Sequence, residues 1–199
     1  PPLLKGRLME HIRRSLSDLL SHARKQYCAN ERQQSPRRVT RYTYTQGPML
    51  YIGQKIVRKM QDAGYPAKIY DTFRHPDVQY EKKKMGRSKA GPFQSPHQFY
   101  EAVDIAHPTL AWTVSDEYWD ALAIAARAVA VELKVKLELG YDWGWDMAHI
   151  EIQDWREVRE RNGKRIPTQS ELDLRFEELL PSVWKQYTKS KQYQSRLKS

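Results

Sequence analysis

The chain has 199 residues, 40% hydrophobic and 11% aromatic, enough for the core of one ordinary domain with flanking arms and too many for wholesale disorder. No run approaches about eighteen consecutive apolar residues, which excludes a membrane-spanning helix. Cys28 is the only cysteine, which excludes an internal disulfide and leaves nitrogen and oxygen as the donors for any metal. The formal charge of +10 is unevenly spread. Lys and Arg outnumber Asp and Glu ten to three over residues 1–45 and eleven to seven over 153–199, whereas 46–152 hold thirteen against fourteen. Basic arms suit an anionic polymer, a membrane surface or nucleic acid, and they flank a middle close to neutrality.

Leu4, Leu8, Ile12, Leu16, Leu19 and Leu20 recur at helical spacing with Arg and Lys between them, which predicts an amphipathic basic helix from Leu3 to about Cys28. This helix and a polar linker to Gly47 form the first unit, residues 1–47. The segment lacks the charged-then-apolar layout of a secretory signal, and without an initiator Met a removed leader stays open. A helix is expected from Pro48 to before Gly64, then a strand at Ala67–Asp71 and a short helix from Pro76 to about Met85. Residues 86–94 read as a loop. A buried strand at Glu101–Ala106 precedes a helix capped by Ser115 that runs to about Lys134, with Asp116 and Glu117 in its positive first turn. Two more strands, Lys136–Leu139 and Ala148–Ile152, are joined by a tight loop from Gly140 to Asp146. Beyond Asp154 the chain is helical and charged, broken by Gly163 and Pro167, and resumes from Ser170 with Asp173 in the capping-box position. The order predicts an α+β fold with a small antiparallel sheet and flanking helices over residues 48–155, followed by a charged helical extension, 156–199.

Two pieces of this frame carry metal-binding chemistry. Ser95-Pro-His97 leads into Asp104, and Asp146-Met-Ala-His149-Ile-Glu151 follows about forty residues later. Catalytic zinc is held by three protein ligands with a fourth position left for water, and His97, Asp104 and His149 offer a suitable N, O, N set. A further carboxylate must take the proton of that water, and Asp146, three residues before His149, is the leading candidate. Glu151 shares a strand face with His149 and competes for the role of base, but is expected instead to orient an imidazole. His11, His22 and His75 read as surface residues. His107 lies on the other strand face from Asp104.

Ser95-x-His97-x-x-x-x-Ala102-x-Asp104 resembles the Ser-x-His-x-x-Gly-x-Ala-x-Asp signature of the VanY-like D-alanyl-D-alanine carboxypeptidases, a family that includes phage L-alanyl-D-glutamate endopeptidases. Asp146-x-x-His149-Ile-Glu resembles its second motif, Tyr70-Asp-Thr-Phe-Arg74…Gln79 its upstream segment, and Gly86-Arg-Ser-Lys89 its approach to the first motif. The likeness spans about residues 48–155 and implies a Hedgehog/DD-peptidase-like fold. It also implies Zn2+ on His97, Asp104 and His149, Asp146 as catalytic base, and Arg74 facing the scissile carbonyl, unless Arg74 forms a surface salt bridge with Asp71 or Asp77. Gln79 is then structural, and Ser95 hydrogen-bonds within the site or to substrate, unless it is a turn residue. The chain departs from the family at Tyr100, where the signature has glycine; a tyrosine there is expected to narrow or line the cleft. Trp143 and Trp145 crowd the base as a wall for peptide or sugar, or simply as core.

The residues point to a zinc peptidase, and the resemblance implies that it cuts an amide of the peptidoglycan stem peptide, with the L-alanyl-D-glutamate bond as the first choice. D-alanyl-D-alanine carboxypeptidase or dipeptidase action is the nearest alternative. A non-catalytic structural or binding protein of a virion is the second class, its basic arm docking on a partner protein or nucleic acid. The arms fit adhesion to an anionic wall, and the missing signal fits a phage virion or the host cytoplasm.

Overall fold

A computed structural model describes residues 47–196. The expected basic helix, its linker, Cys28, His11 and His22 lie outside the described residues. The elements are helix α1 (Gly47–Asp62), strand β1 (Lys68–Asp71), helix α2 (Pro76–Lys84), a 3-10 turn (Pro96–Phe99), strand β2 (Ala102–Ala106) and helix α3 (Asp116–Leu133). Strand β3 (Leu137–Leu139), the single turn α4 (Gly140–Trp143), strand β4 (His149–Ile152) and helix α5 (Trp155–Asn162) follow. Helices α6 (Gln169–Leu179), α7 (Pro181–Thr188) and α8 (Lys191–Arg196) end the described chain. The fold is α+β: one four-stranded antiparallel sheet, in the order β1-β2-β4-β3, with helices packed around it.

Strand alternation sorts core from site. Val103 and Ile105 of β2 and Ile150 and Ile152 of β4 enter the main core with Ile52, Ile56 and Met60 of α1 and Leu122 and Val129 of α3. Helix α1 comes unusually near the sheet at Gly53. A Cβ there would lie 3.1 Å from Ile69 and 3.2 Å from Val103, so the crossing depends on a residue without a side chain. The period of two then places Asp104, His149 and Glu151 on the face away from this core. The register pairs Asp104 with His149 and Ala102 with Glu151. A smaller apolar cluster of Phe99, Trp155 and Val158 packs beside them.

The segments after β4 contribute to the same core. Phe176, Leu180, Trp184 and Tyr187 join it, and Phe176 meets the ring of Tyr51 on α1 edge-on at 5.9 Å. Alongside, Arg175 donates to the buried Glu101 carboxylate at 2.9, 3.1 and 3.3 Å. Burial pushes Glu101 up to about 7, with Arg175 pulling against it.

Two local expectations are corrected. Helix α6 is capped by Thr168 with Glu171 rather than by Ser170 with Asp173. Glu171 accepts the Thr168 N–H at 2.8 Å, and Thr168 Oγ1 accepts the Glu171 N–H at 3.4 Å. The extra methylene of Glu lets the carboxylate reach back to the cap, and Asp173 instead accepts from Gln169 at 2.9 Å. The 140–146 loop contains the helical turn α4, closed by Gly144 at φ 75°. Ser115 occupies the N-cap of α3 as expected, with Asp116 and Glu117 in the first turn, and makes no side-chain cap bond. Among the described residues no helix is long and apolar enough to cross a membrane.

Candidate metal centre

His97, Asp104 and His149 converge from three elements, each offering a ligand atom within 4.8 Å of the others. Pro96 opens the 3-10 turn that carries His97, and the Gln98 side chain ties its start by accepting from the N–H groups of Gln94 and Ser95. Asp104 and His149 face one another across the β2–β4 ladder. Asp104 Oδ1 lies 3.2 Å from His97 Nε2 and 3.1 Å from His149 Nδ1. Ligand atoms about 2.0–2.1 Å from a tetrahedral zinc are about 3.3 Å apart, so these separations match two edges of such a site.

The remaining nitrogen of each ring is pinned. His97 Nδ1 sits 3.2 Å from the Thr72 carbonyl, which can only accept, so this nitrogen carries the proton. His149 Nε2 sits 2.9 Å from Glu151 Oε2, while Trp155 donates its indole N–H to Glu151 Oε1 at 2.9 Å. Such partners leave His97 Nε2 and His149 Nδ1 as the atoms that could hold a metal ion. Both nitrogens of His149 therefore face carboxylate oxygens, a demand met by an imidazolium or by a cation between Nδ1 and Asp104. Burial opposes charge on this ring, but Asp104 and Glu151 raise its pKa to about 9. Burial would likewise raise Asp104, yet the two imidazoles hold it well below the usual carboxylate range. The donor set fits a divalent metal ion.

Arg74 is nearly buried and held on every side. Its Nε and NH2 donate to Asp71 at 2.9 and 2.6 Å, NH1 donates to Gln79 Oε1 at 2.9 Å, and NH2 lies 3.4 Å from Asp104 Oδ2. Gln79 in turn donates to Ser88 and to the Ala90 carbonyl, which fixes α2 against the following loop. The guanidinium is thus held mainly by Asp71, one of the two expected salt-bridge partners, and by Gln79, and it also reaches Asp104.

Asp146 is half-buried beside the ligands. Burial raises its pKa, His149 opposes this, and Asp104 adds to it. Its backbone is gripped by close contact: a Cβ on Gly140 would fall 2.0 Å from the Asp146 carbonyl oxygen, which also accepts the His149 N–H at 3.0 Å. From this loop a column of rings runs outward. His149 meets Trp143 at 5.5 Å, Trp143 stacks on Trp145 at 5.6 Å, and Lys89 Nζ lies 5.2 Å from the Trp145 ring centre. Trp145 is 63% exposed, so its ring lines the surface beyond Trp143 and His149 instead of filling the core.

The other singled-out residues are placed as follows. Ser95 is the N-cap of the 3-10 turn, a turn position. Tyr100 ends that turn at φ 61° and ψ 28°, left-handed backbone that favours glycine and costs another residue about 1–2 kcal/mol. Its ring does not stand alone in the cleft but stacks on Phe73 at 4.4 Å, nearly parallel. His75 caps α2, accepting the Asp77 N–H, and His107 accepts the N–H groups of Thr109 and Leu110 in a turn. Sequence reading misses Thr72, Phe73 and Trp155. Thr72 acts through a backbone carbonyl and leaves no side-chain signal, whereas Trp155, four residues after Glu151, was open to notice.

No family model matches the chain, and no curated protein matches it. Among solved structures it is similar to the Serratia marcescens L-Ala D-Glu endopeptidase ChiX, at 21% identity and a TM-score of 0.47 over 60% of this chain and 91% of that chain. The likeness is distant.

Proposed function

We propose that the protein is a zinc-dependent hydrolase of an amide bond in the peptidoglycan stem peptide, with the L-alanyl-D-glutamate bond as its substrate. The observation that carries this reading is the convergence of His97 Nε2, Asp104 Oδ1 and His149 Nδ1, each backed by an orienting partner. The choice of substrate rests on the resemblance of the motifs around them. A bound zinc would supply Lewis acidity and a water acidified toward neutrality. Asp146, its pKa raised by burial, accepts a proton from the attacking water and returns it to the departing amine. Arg74, locked by Asp71 and Gln79, presents a fixed guanidinium to charge developing on the carbonyl oxygen. The Trp143–Trp145 wall shields one side of this chemistry from water. The basic arms hold the enzyme on an anionic wall.

The test measures bound zinc by elemental analysis and muropeptide release by wild type and Asp146→Asn. Stoichiometric zinc is expected in both, with release slowed about 10²–10⁴-fold in the variant. Mass analysis of the new termini separates endopeptidase from D-alanyl-D-alanine carboxypeptidase action. Zinc binding with no release from any wall chemotype would establish the non-catalytic alternative.

A further inference from the structure

Tyr100 poses a problem that the metal site alone does not explain. It stands between two ligands, His97 and Asp104, in left-handed backbone where glycine is free of strain. A tyrosine kept at such a position needs a compensating contact, and its ring makes one with Phe73 at 4.4 Å and an interplanar angle of 12°. Phe73 lies between the two residues that reach the ligand turn. Thr72, on one side, offers the carbonyl that holds His97 Nδ1 at 3.2 Å. Arg74, on the other, donates its backbone N–H to the His97 carbonyl at 3.2 Å and sends its guanidinium to Asp104. The stack therefore closes the segment 72–74 onto the turn 97–100 at the level of both contacts. It does so directly after the last β1–β2 pair, Asp71 with Asp104, which follows a register shift between Ile69 and Asp71.

We propose that Tyr100 is a positioning residue of the metal centre, acting through Phe73 to hold the Thr72 carbonyl against His97 and Arg74 against Asp104. The inference rests on the reading of His97, Asp104 and His149 as metal ligands. Glycine gives this turn its backbone without strain; tyrosine gives it a clamp. The strained backbone is the cost of a fixed imidazole.

The test uses the full chain and four variants: Tyr100→Gly, Tyr100→Phe, Phe73→Ala and the Tyr100→Gly/Phe73→Ala pair. Zinc affinity is measured by competition with a chelating dye, and thermal midpoint by calorimetry. Tyr100→Gly is expected to melt within a few degrees of wild type while binding zinc about tenfold more weakly, the scale of a lost orienting partner. Tyr100→Phe keeps the ring and should restore wild-type affinity. Phe73→Ala should weaken zinc binding as Tyr100→Gly does, and the pair should lose no more than either alone, because both break one contact. Wild-type zinc affinity in Tyr100→Gly would overturn the proposal while leaving the metal reading intact. Absence of zinc binding by the wild type would instead overturn the metal reading. The clamp is then decided by the ¹⁵N spectrum of the His97 ring in metal-free protein. A single Nδ1–H tautomer in wild type that becomes mixed in Tyr100→Gly supports it, and an unchanged tautomer overturns it.

Discussion

At the scale of single residues, Glu151 shows how a side chain can serve the proposed metal site without being one of its ligands. Its two carboxylate oxygens accept from two buried donors, His149 Nε2 and the Trp155 indole. Glutamine has one acceptor oxygen, and its NH2 would confront the second donor, leaving a buried group unpaired at about 1–3 kcal/mol. Glu151→Gln is therefore expected to weaken zinc binding about tenfold or more while the protein stays folded. Titration of the variant with zinc in a chelator-buffered series checks this; affinity equal to wild type would remove Glu151 from the site. The types of the ligand residues, and the pairing of His149 with Glu151, were legible in the sequence because residues two apart on a strand share a face. Which ring nitrogen faces the metal was not. That choice belongs to the Thr72 carbonyl in one case and to the register of β2 against β4 in the other.

Among the elements, the link between β3 and β4 is the most sensitive. The sequence reads it as a tight loop, and its actual shape, the turn α4 followed by a return at Gly144, puts Asp146 against the start of that turn. Gly140 makes room for the Asp146 carbonyl, and the atom that would collide is backbone, which cannot swing aside. Gly140→Ala should displace Asp146 and, through the Asp146 O···H–N bond to His149, the head of β4. A displacement near 1 Å at catalytic groups costs about a hundredfold in rate. Muropeptide release is expected to fall by that order, with a lower thermal midpoint. An alanine variant with unchanged release would show that the loop relaxes without moving the base. The wrong assignment of the α6 cap has a simple cause: Ser170 and Thr168 both suit an N-cap, and only the reach of Glu171 separates them.

For the molecule as a whole, the decisive contact joins residues 74 positions apart. Arg175 on α6 neutralises Glu101, which is fully buried at the start of β2, and also donates to Asp154. Arg175→Met leaves a carboxyl buried without its partner, at a cost of about 3–5 kcal/mol when ionised. The pH dependence follows from the raised pKa. In wild type Glu101 is lifted from 4.5 to about 7, so the folded state keeps its proton to higher pH than the unfolded chain. That contribution to stability is complete below 4.5 and is lost as pH rises through about 7. Without Arg175 the carboxyl rises further. The deficit of the variant should thus be small near about pH 5 and largest near about pH 8. Calorimetry across that range checks it, and a deficit independent of pH would mean that Arg175 acts through packing alone.

Local patterns in the sequence determined the helices, the strands and the chemistry of the ligands, because apolar periodicity and residue type are properties of neighbouring positions. They also exposed Tyr100 as the residue out of place. Only the tertiary structure decided what that tyrosine does, which nitrogens of the two imidazoles point inward, and how Arg175 reaches Glu101 from the C-terminal helices. Those outcomes depend on strand register, on a backbone carbonyl and on contacts between distant segments. Apart from Glu151, which pairs with His149 two residues before it, none of these outcomes has a signature in the neighbouring residues.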